Sequence, residues 1–598
     1  DAEVALLVGA DLSGVQDFLY TITSRGATSA LRGRSFYLQL LTEAAARFVL
    51  RELGLPSCNL LYAGGGSFYL LAAPQQTDAL VEVQRRISRA LLHHHRGDLY
   101  LALAATPLRG RDFWHISAAW QQLGERLQEA KLRRFAELDP SDQARLFAPQ
   151  EDGGDEERQC QVCGLEHPDS RADEADAPRK CPACRSYEAL GKDLRRARFL
   201  LLEQIELTAV ELDAAPGDYN QSLAALGLRV QVNEALPSLP AARATLLALE
   251  DGALAELRPP PKLAVGRRFL VNATSILRQE EIDELRRGSY REEADDEPLQ
   301  PGHIKPFSVL AWESKGIKRL GVLRMDVDNL GQLFAKGLGD LATLSRVASL
   351  SFAISLYFEG WVEQIAQQYE GRIYSIYSGG DDLFFVGAWD AVVEFARNVR
   401  ADFTAYAAGH PGLHTSAGMA LAAGKYPLAQ AARDAGDAED AAKAYQGPNG
   451  WRKNAISFLG VTQPWTRFGL ELECTAGSGS VHALMHLLLA MTDPVDGEAG
   501  APKALLRSLV RLYDQYQEAW EERRRQGRDV NQAGELQALW GPWMWQGVYM
   551  LSRMADRLKG QPALRRQVEE LRHHLEQEQF RNMDWIGLAA RWAELLSR

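Results

Sequence analysis

The sequence predicts an α+β chain in which one strand–helix–hairpin–helix–strand unit occurs twice, a four-cysteine module separates the copies, and helices form the C-terminal end. Three observations carry the repeat. Tyr62–Leu71 (YAGGGSFYLL) and Tyr377–Val386 (YSGGDDLFFV) are two versions of one glycine-turn hairpin. Each follows an apolar run that leads to an aspartate: Val4–Val8 before Asp11, and Leu320–Leu323 before Asp326. Asp326 precedes Asp381 by 55 positions and Asp11 precedes Gly66 by the same 55, an offset of 315 between copies that also sets Leu101–Ala105 on Ser416–Ala420.

Residues 1–150 hold the first copy and a helical extension from 109 onward, with Leu123, Leu127 and Leu132 as its apolar face. The run His93–His95 sits late in a helix and reads as solvated surface. Leu31-Arg-Gly-Arg-Ser35 reads either as a local phosphate contact or as a solvated helix start. An acidic, exposed linker, Glu151–Glu157, leads into a module over 151–192. There Cys160-x-x-Cys163 and Cys181-x-x-Cys184 stand seventeen residues apart, around a charged loop, Asp169–Arg179. Each pair offers two thiolates from a tight turn, and two pairs complete a tetrahedron with no open position, so structural zinc is expected. His167 lies near, but four sulfurs suffice. The isolated Cys58 and Cys474 read as core residues.

Residues 193–305 are mixed, with strands expected at Arg198–Leu207 and Leu226–Val232, a break at Pro259–Pro261, and an exposed charged stretch over Glu280–Pro298. Residues 306–462 hold the second copy, ending in a strand from Lys453 to Phe458. Residues 463–598 read as helices at Val481–Met491, Leu505–Tyr516 and Trp540–Leu558, followed by a charged surface helix at Ala563–Phe580. The tryptophans and methionines there are packing residues.

At 598 residues and 46% hydrophobic content the chain supports several packed domains. No apolar run reaches the ~18 residues of a membrane span, so no membrane partner is expected. No secretory signal is seen at the start, and six cysteines are few for this length, which fits a reducing, cytoplasmic setting. A net charge of −12 argues against a basic nucleic-acid coat; any contact with nucleic acid is local or made through partner chains.

The two copies differ in chemistry. Asp328, Asp381 and Asp382 of the second correspond to Ser13, Gly66 and Ser67 of the first, and only Asp11 survives there as the counterpart of Asp326. Hard divalent cations want several oxygen ligands, which the second copy offers from two strand ends and the first does not. A lone Gly-Gly-Asp-Asp is a common polar hairpin turn; Asp326, Asp328 and a degenerate twin make a cation site the better reading.

Paired hairpins of this kind, a four-cysteine module between them and a helical end resemble the large polymerase–cyclase subunit of type III CRISPR effector complexes. Asp11-Leu-Ser-Gly-Val-Gln-Asp-Phe18, Leu31-Arg-Gly-Arg-Ser-Phe-Tyr37 and Lys453-Asn-Ala-Ile456 look like recurring blocks of that family. Details of the first copy look most like the subtype A (Csm-type) subunit, and the resemblance covers essentially the whole chain. It implies two ferredoxin-like palm domains related to GGDEF-type cyclases. It also implies antiviral synthesis of cyclic oligoadenylate from ATP, by metal-dependent 3′–5′ nucleotidyl transfer. The implied partners are guide RNA, target RNA, and the backbone and small subunits of a multisubunit complex. Many members carry an HD nuclease domain; this chain begins near the first palm strand and has no His-Asp dipeptide, so no HD-type DNA cleavage is expected of it.

On this reading Asp326, Asp381 and Asp382, helped by Asp328 and the Val327 carbonyl, hold magnesium or manganese. Lys443 and Lys453 neutralise triphosphate charge or are surface lysines. Gly379 and Gly380 let a nucleotide approach the backbone, Ser378 contacts a base, and Gly64, Gly65 and Ser67 keep a metal-free seat for a second ATP. Two other readings remain at this stage. GGDEF-type cyclic-dinucleotide synthases usually follow the motif with Glu-Phe and pair identical domains, unlike Asp382-Leu383 here. A non-catalytic scaffold would not need the intact aspartates.

Overall fold

The computed structural model describes residues 2–23, 26–147, 154–172, 177–207, 215–238, 243–257, 263–288, 290, 299–447, 452–470, 479–493, 500–526 and 539–598. Cys474, Pro259–Pro261, most of 289–298 and part of the 151–157 linker lie outside these. The chain divides into two compact units. The first comprises Asp1–Phe307, Asn329–Val386 and Lys425–Gln430; the second comprises Ser308–Asp328, Gly387–Gly424 and Ala431–Arg598.

The two copies build sheets of the same order. In the first, β1 (Glu3–Ser13), β2 (Leu60–Gly64), β3 (Ser67–Ala72) and β4 (Tyr100–Arg109) run β2-β3-β1-β4. The apolar run of β1 is continuous because both of its faces are covered. Leu6, Val8, Ala10 and Leu12 face a core shared with helices Ala27–Glu52 and Thr77–His95, while Leu7 joins Tyr100, Ala102, Leu123 and Leu127 on the other side. Between the copies lies a third sheet, order β6-β5-β7-β8, from β5 (Phe199–Gln204), β6 (Leu228–Asn233), β7 (Ala244–Ala248) and β8 (Ala264–Arg267).

The second copy supplies β9 (Leu320–Val327), β10 (Ile373–Gly379), β11 (Asp382–Ala388), β12 (Thr415–Ala422), β13 (Ala455–Phe458) and β14 (Val461–Pro464), in the order β10-β11-β9-β12-β13-β14. The expected last strand is thus the first arm of a further hairpin. Asp11 lies opposite Ala102, and Asp326 lies opposite Ser416, so Ser416 matches Ala102 rather than Leu101. The connection back to the fourth strand is one residue shorter in the second copy. Only cross-strand register reveals this, and a one-residue slip would have turned every side chain to the wrong face.

Several surface expectations are overturned by burial. His95 is buried, with its Nε2 2.7 Å from the Tyr37 hydroxyl. Arg32 and Arg34 of the Leu31–Ser35 block are buried and neither solvated nor open to phosphate. Arg32 hydrogen-bonds Asn272 and Thr274, and Arg34 donates to the Phe18 carbonyl at 3.0 Å. Gly33 lies where any Cβ would meet the Tyr187 carbonyl of helix Pro182–Leu194, so the two helices cross backbone to backbone. Cys58 is exposed rather than core. Leu123 and Leu127 are buried, but Leu132, at the end of its helix, is 88% exposed. Within the charged stretch after 279, helix Gln279–Arg287 buries Ile282 and Leu285.

The C-terminal region is helical: Val481–Thr492, Ala504–Arg525, Pro542–Arg557, Pro562–Glu576 and Met583–Leu596. The helix expected to be a charged surface element buries Leu564, Val568, Leu571 and Leu575 on its inner face, the stripe that a 3.6-residue period allows. Among the described residues no helix is long and apolar enough to cross a membrane.

Candidate active site and metal centre

Each hairpin closes with a two-residue turn, but the turns differ. In the first, Gly65 (φ +59°) and Gly66 (φ +81°) are both left-handed, the signature of a type I′ turn. In the second, only Gly380 (φ +67°) is, as in a type II′ turn. Asp381 carries a Cβ and avoids the left-handed region that Gly66 tolerates. Within the first unit the two turns face one another. A Cβ placed on Gly380 would stand 3.5 Å from the Gly65 Cα and 3.7 Å from the Tyr62 hydroxyl.

Segment Ser355–Glu359, at the junction of helix Leu344–Leu356 and the π-helical turn Tyr357–Trp361, touches both hairpins. Ser355 Oγ donates to the Tyr62 hydroxyl (3.2 Å), Ser378 Oγ donates to the Phe358 carbonyl (2.5 Å), and the Glu359 carboxylate lies against both strands that enter the turns, its Oε1 3.3 Å from where a Cβ on Gly64 would stand and 3.6 Å from that of Gly379. Burial raises the Tyr62 phenol above its ordinary range, and the Glu359 and Asp381 carboxylates push the same way. Burial also holds Glu359 above the usual carboxylate range, against the pull of Arg268 and the Gly380 amide. Ser378 is 4% exposed and its hydroxyl is spent on Phe358, so it is not a base contact as expected; period-2 alternation turns its side chain inward. Asp382 opens β11 and accepts from the Tyr377 hydroxyl at 2.9 Å. Glu359 escaped the sequence reading because no motif marks it, and Tyr62, although it opens the first hairpin motif, was given no role.

In the second unit Asp326 lies near the end of β9. Lys443, the last residue of helix Leu428–Lys443, approaches Asp326 Oδ2 at 2.5 Å and Glu439 at 2.7 Å; Glu439 also pairs with Arg324 at 3.2 Å. Burial lowers the Lys443 amine, but the Asp326 and Glu439 carboxylates outweigh it and hold the amine above its ordinary range. In the first copy Lys131 approaches Asp11 at 2.5 Å from helix Ser117–Leu132. The Asp–Lys pair is therefore a shared feature of both copies that the sequence comparison missed, although a lysine near the end of the helix after the fourth strand was there to be seen.

Asp328 is 1% exposed. Its Oδ2 meets His414 Nδ1 at 2.6 Å, Ser416 Oγ at 2.9 Å and the Asn454 amide at 3.0 Å, while Oδ1 is buried without a hydrogen-bond partner among the described residues. Half of this carboxylate is thus a clamp on the Lys453–Asn454 bend, whose residues are both left-handed (φ +62° and +51°). The orphan Oδ1 keeps its lone pairs unspent, as a hard cation's ligand would need. Asn454 Oδ1 in turn accepts from Arg400 at 2.8 and 3.1 Å. Val327 is buried opposite Thr415 in the ladder. The acids thus have the donor chemistry for a hard cation: an orphaned oxygen on Asp328, and on Asp326 a lysine ammonium supplying the positive charge.

Cys160, Cys163, Cys181 and Cys184 place their sulfurs within 4.8 Å of one another, with Cys163 Sγ 3.8 Å from Cys181 Sγ. A tetrahedral zinc with Zn–S bonds of ~2.3 Å has sulfur–sulfur edges of about 3.8 Å, so the cluster fits that ion. Arg34 donates to Cys184 Sγ at 3.3 Å and lies over the rings of Phe18 and Tyr187, giving the thiolates a buried counter-charge. His167 is turned elsewhere, to the Pro216 carbonyl at 3.0 Å.

Two family models match the chain: the Csm1 subunit domain B over residues 4–151 and the second palm domain of Cas10/Cmr2 over residues 319–456. A protein of Methanocaldococcus jannaschii described as the CRISPR system single-strand-specific deoxyribonuclease Cas10/Csm1 (subtype III-A) is 30% identical over 479 residues. A protein of Mycobacterium tuberculosis with the same description is 32% identical over 492 residues. The chain belongs to the Cas10/Csm1 family. Each match takes in 74% of this Cas10/Csm1 chain but 56% and 53% of the relatives, so the chain spans about half their length. Crystal structures of a Csm1–Csm4 cassette with cA4 and with one ATP share its fold, with a TM-score of 0.65 at 20% and 21% identity, over all of this chain and 70% of theirs.

Proposed function

We propose that this chain is the catalytic large subunit of a type III-A effector complex and joins ATP into cyclic oligoadenylate when the complex holds target RNA. One observation carries the reading: the glycine turns of two homologous hairpins face each other, and only one of them carries carboxylates. The Csm1–Csm4 structures described with ATP, pppApA, cA3 and cA4 support the choice of substrate and product class.

In the proposed reaction the 3′ oxygen of one ATP bonds to the α-phosphorus of another, the bond from that phosphorus to the bridging oxygen breaks, pyrophosphate departs, and the hydroxyl proton passes to solvent. Bound magnesium or manganese would polarise the α-phosphate and acidify the attacking hydroxyl. Asp326, Asp381 and Asp382, with Asp328 Oδ1 and the Val327 carbonyl, would hold it. Lys443 would leave Asp326 for the triphosphate, joined by Lys453. Gly379 and Gly380 admit the nucleotide close to the backbone. Gly64, Gly65 and Ser67 would seat the second ATP, with the Asp11–Lys131 pair beside them in place of a metal. Zinc on the four cysteines is structural. A Csm4-like backbone subunit, small subunits, guide RNA and target RNA are the proposed partners.

The test is mass spectrometry of ATP products from the assembled complex, with and without cognate target RNA. Asp381→Ala combined with Asp382→Ala should abolish cyclic oligoadenylate while assembly and RNA binding stay near wild type. Normal product from the double variant would refute the assignment.

A further inference from the structure

The four-cysteine module and the first palm meet at one arginine. Arg34, 3% exposed on helix Ala27–Glu52, spends its two terminal nitrogens in different places. Nη2 donates to Cys184 Sγ at 3.3 Å, and Nη1 donates to the Phe18 carbonyl at 3.0 Å. The guanidinium carbon is 4.7 Å from the ring centroid of Phe18 and 5.0 Å from that of Tyr187, and the two rings meet edge to face at 5.3 Å. Helix Pro182–Leu194, which carries Cys184 in its first turn, is locked onto the helix of Arg34. A Cβ on Gly33 would stand 1.7 Å from the Tyr187 carbonyl oxygen, and one on Gly191 would stand 1.9 Å from that of Ser29, so the backbones touch at two points.

From Phe18 a short path leads to the degenerate hairpin. The Phe18 amide donates to the Gly14 carbonyl at 3.1 Å, and the Leu12 amide donates at 2.9 Å to the carbonyl of Gly66, in the glycine turn itself. Zinc with four thiolates carries roughly two net negative charges, and a buried guanidinium needs a counter-charge. Neither of the two Arg34 bonds goes to a carboxylate; the charge that Nη2 meets is the cluster's. The planar fork fixes both nitrogens at once, which a lysine ammonium does not reproduce. The ion in turn holds the sulfurs in place, so its loss takes a fixed acceptor from Nη2 and frees the whole fork. We propose that Arg34 is the positioning residue through which zinc on the four cysteines sets the placement of the Leu12–Phe18 segment, and with it the Gly65–Gly66 turn of the first palm. Arg34 touches neither zinc nor nucleotide in this role and acts through Cys184 and Phe18. The proposal rests on the zinc reading and is independent of the cyclase reading.

The test is hydrogen exchange by mass spectrometry on the full chain, with zinc bound and after stripping by chelator, the zinc being counted by elemental analysis. In the wild type, stripping should speed exchange of the peptide spanning residues 12–22 by about 10-fold or more, the scale of a hydrogen bond from a charged group. A peptide spanning residues 77–90, from the helix that packs in the same core, should change by less than about 2-fold. Arg34→Lys keeps a charge beside the sulfurs and loses the fork. It should hold zinc yet exchange fast over residues 12–22 from the outset, with less than about 2-fold further rise on stripping. Arg34→Met fills the space between the rings, removes both donors and the charge, and should also weaken zinc binding by about 10-fold or more. A zinc-bound wild type whose 12–22 peptide ignores stripping would overturn the proposal, and so would an Arg34→Lys chain that responds to stripping as the wild type does. An equal rise in both peptides would overturn it in favour of a general loosening of the palm. If Arg34→Met fails to fold, the wild type and Arg34→Lys decide. A wild-type chain that neither retains nor takes up zinc defeats the zinc reading itself, and elemental analysis shows that before any exchange is measured.

Discussion

Asp328→Ala separates the two jobs an acidic residue can have in this site. Asp328 Oδ2 meets three donors at 2.6, 2.9 and 3.0 Å, from His414, Ser416 and the Asn454 amide, in a setting only 1% exposed. A hydrogen bond to a charged group contributes about 1.5–3 kcal/mol, and neighbours in one network are not additive. Removing one partner of a buried charged cluster typically costs ~3–5 kcal/mol, and that is the expected local loss. At ~1.4 kcal/mol per decade, 3 kcal/mol corresponds to roughly 100-fold faster opening. Hydrogen exchange followed by mass spectrometry, run in chelator so that no cation contributes, should show this in peptides from β9, β12 and residues 452–458. Asp328→Asn keeps an acceptor of the same size and should cost about 1–2 kcal/mol. Asp381→Ala should leave the same peptides unchanged. If Asp328→Ala altered exchange by less than about 3-fold while abolishing turnover, the clamp argument would be wrong and Asp328 would be a ligand only.

Asp584 accepts from Gln517 at 2.8 Å in the C-terminal helices, and burial pushes its carboxyl up to about 6. A folded value above the unfolded one means that the protonated form favours folding: stability is greatest below about pH 4 and falls as pH rises through 6. Asp584→Asn should therefore raise the melting temperature at pH 7.5, by up to ~3 kcal/mol in free energy, and match wild type at pH 4; a lower melting temperature at pH 7.5 would contradict it. Cys184→Ser should release zinc from the purified chain, measured by elemental analysis, and open residues 154–198 to protease, because metal binding in such modules supplies ~10–16 kcal/mol of folding energy. Retention of full zinc would show that the four sulfurs do not share one ion.

Much of the site was legible in the chain because its chemistry is written in contiguous residues. Gly379-Gly380-Asp381-Asp382 needs its glycines beside its acids for a turn to present carboxylates, and Cys160-x-x-Cys163 needs its spacing to give two sulfurs from one turn. The repeat, with its shared strand order, was visible for the same reason: a central strand covered on both faces must be an apolar run in each copy. What a buried polar side chain does was not legible, since that depends on partners distant in sequence. Arg34 reads in the sequence as a phosphate contact or a solvated helix start and lies on Cys184, 150 positions away; Ser378 reads as facing a base and faces Phe358; His95 reads as solvated and meets Tyr37. Short-range geometry fixes turns and metal-ligand spacing within a few residues, so sequence determines them. The placing of Glu359 against Gly379 and Gly64, and of Lys131 and Lys443 on their aspartates, arises only when helices far along the chain pack, and tertiary structure alone decided it.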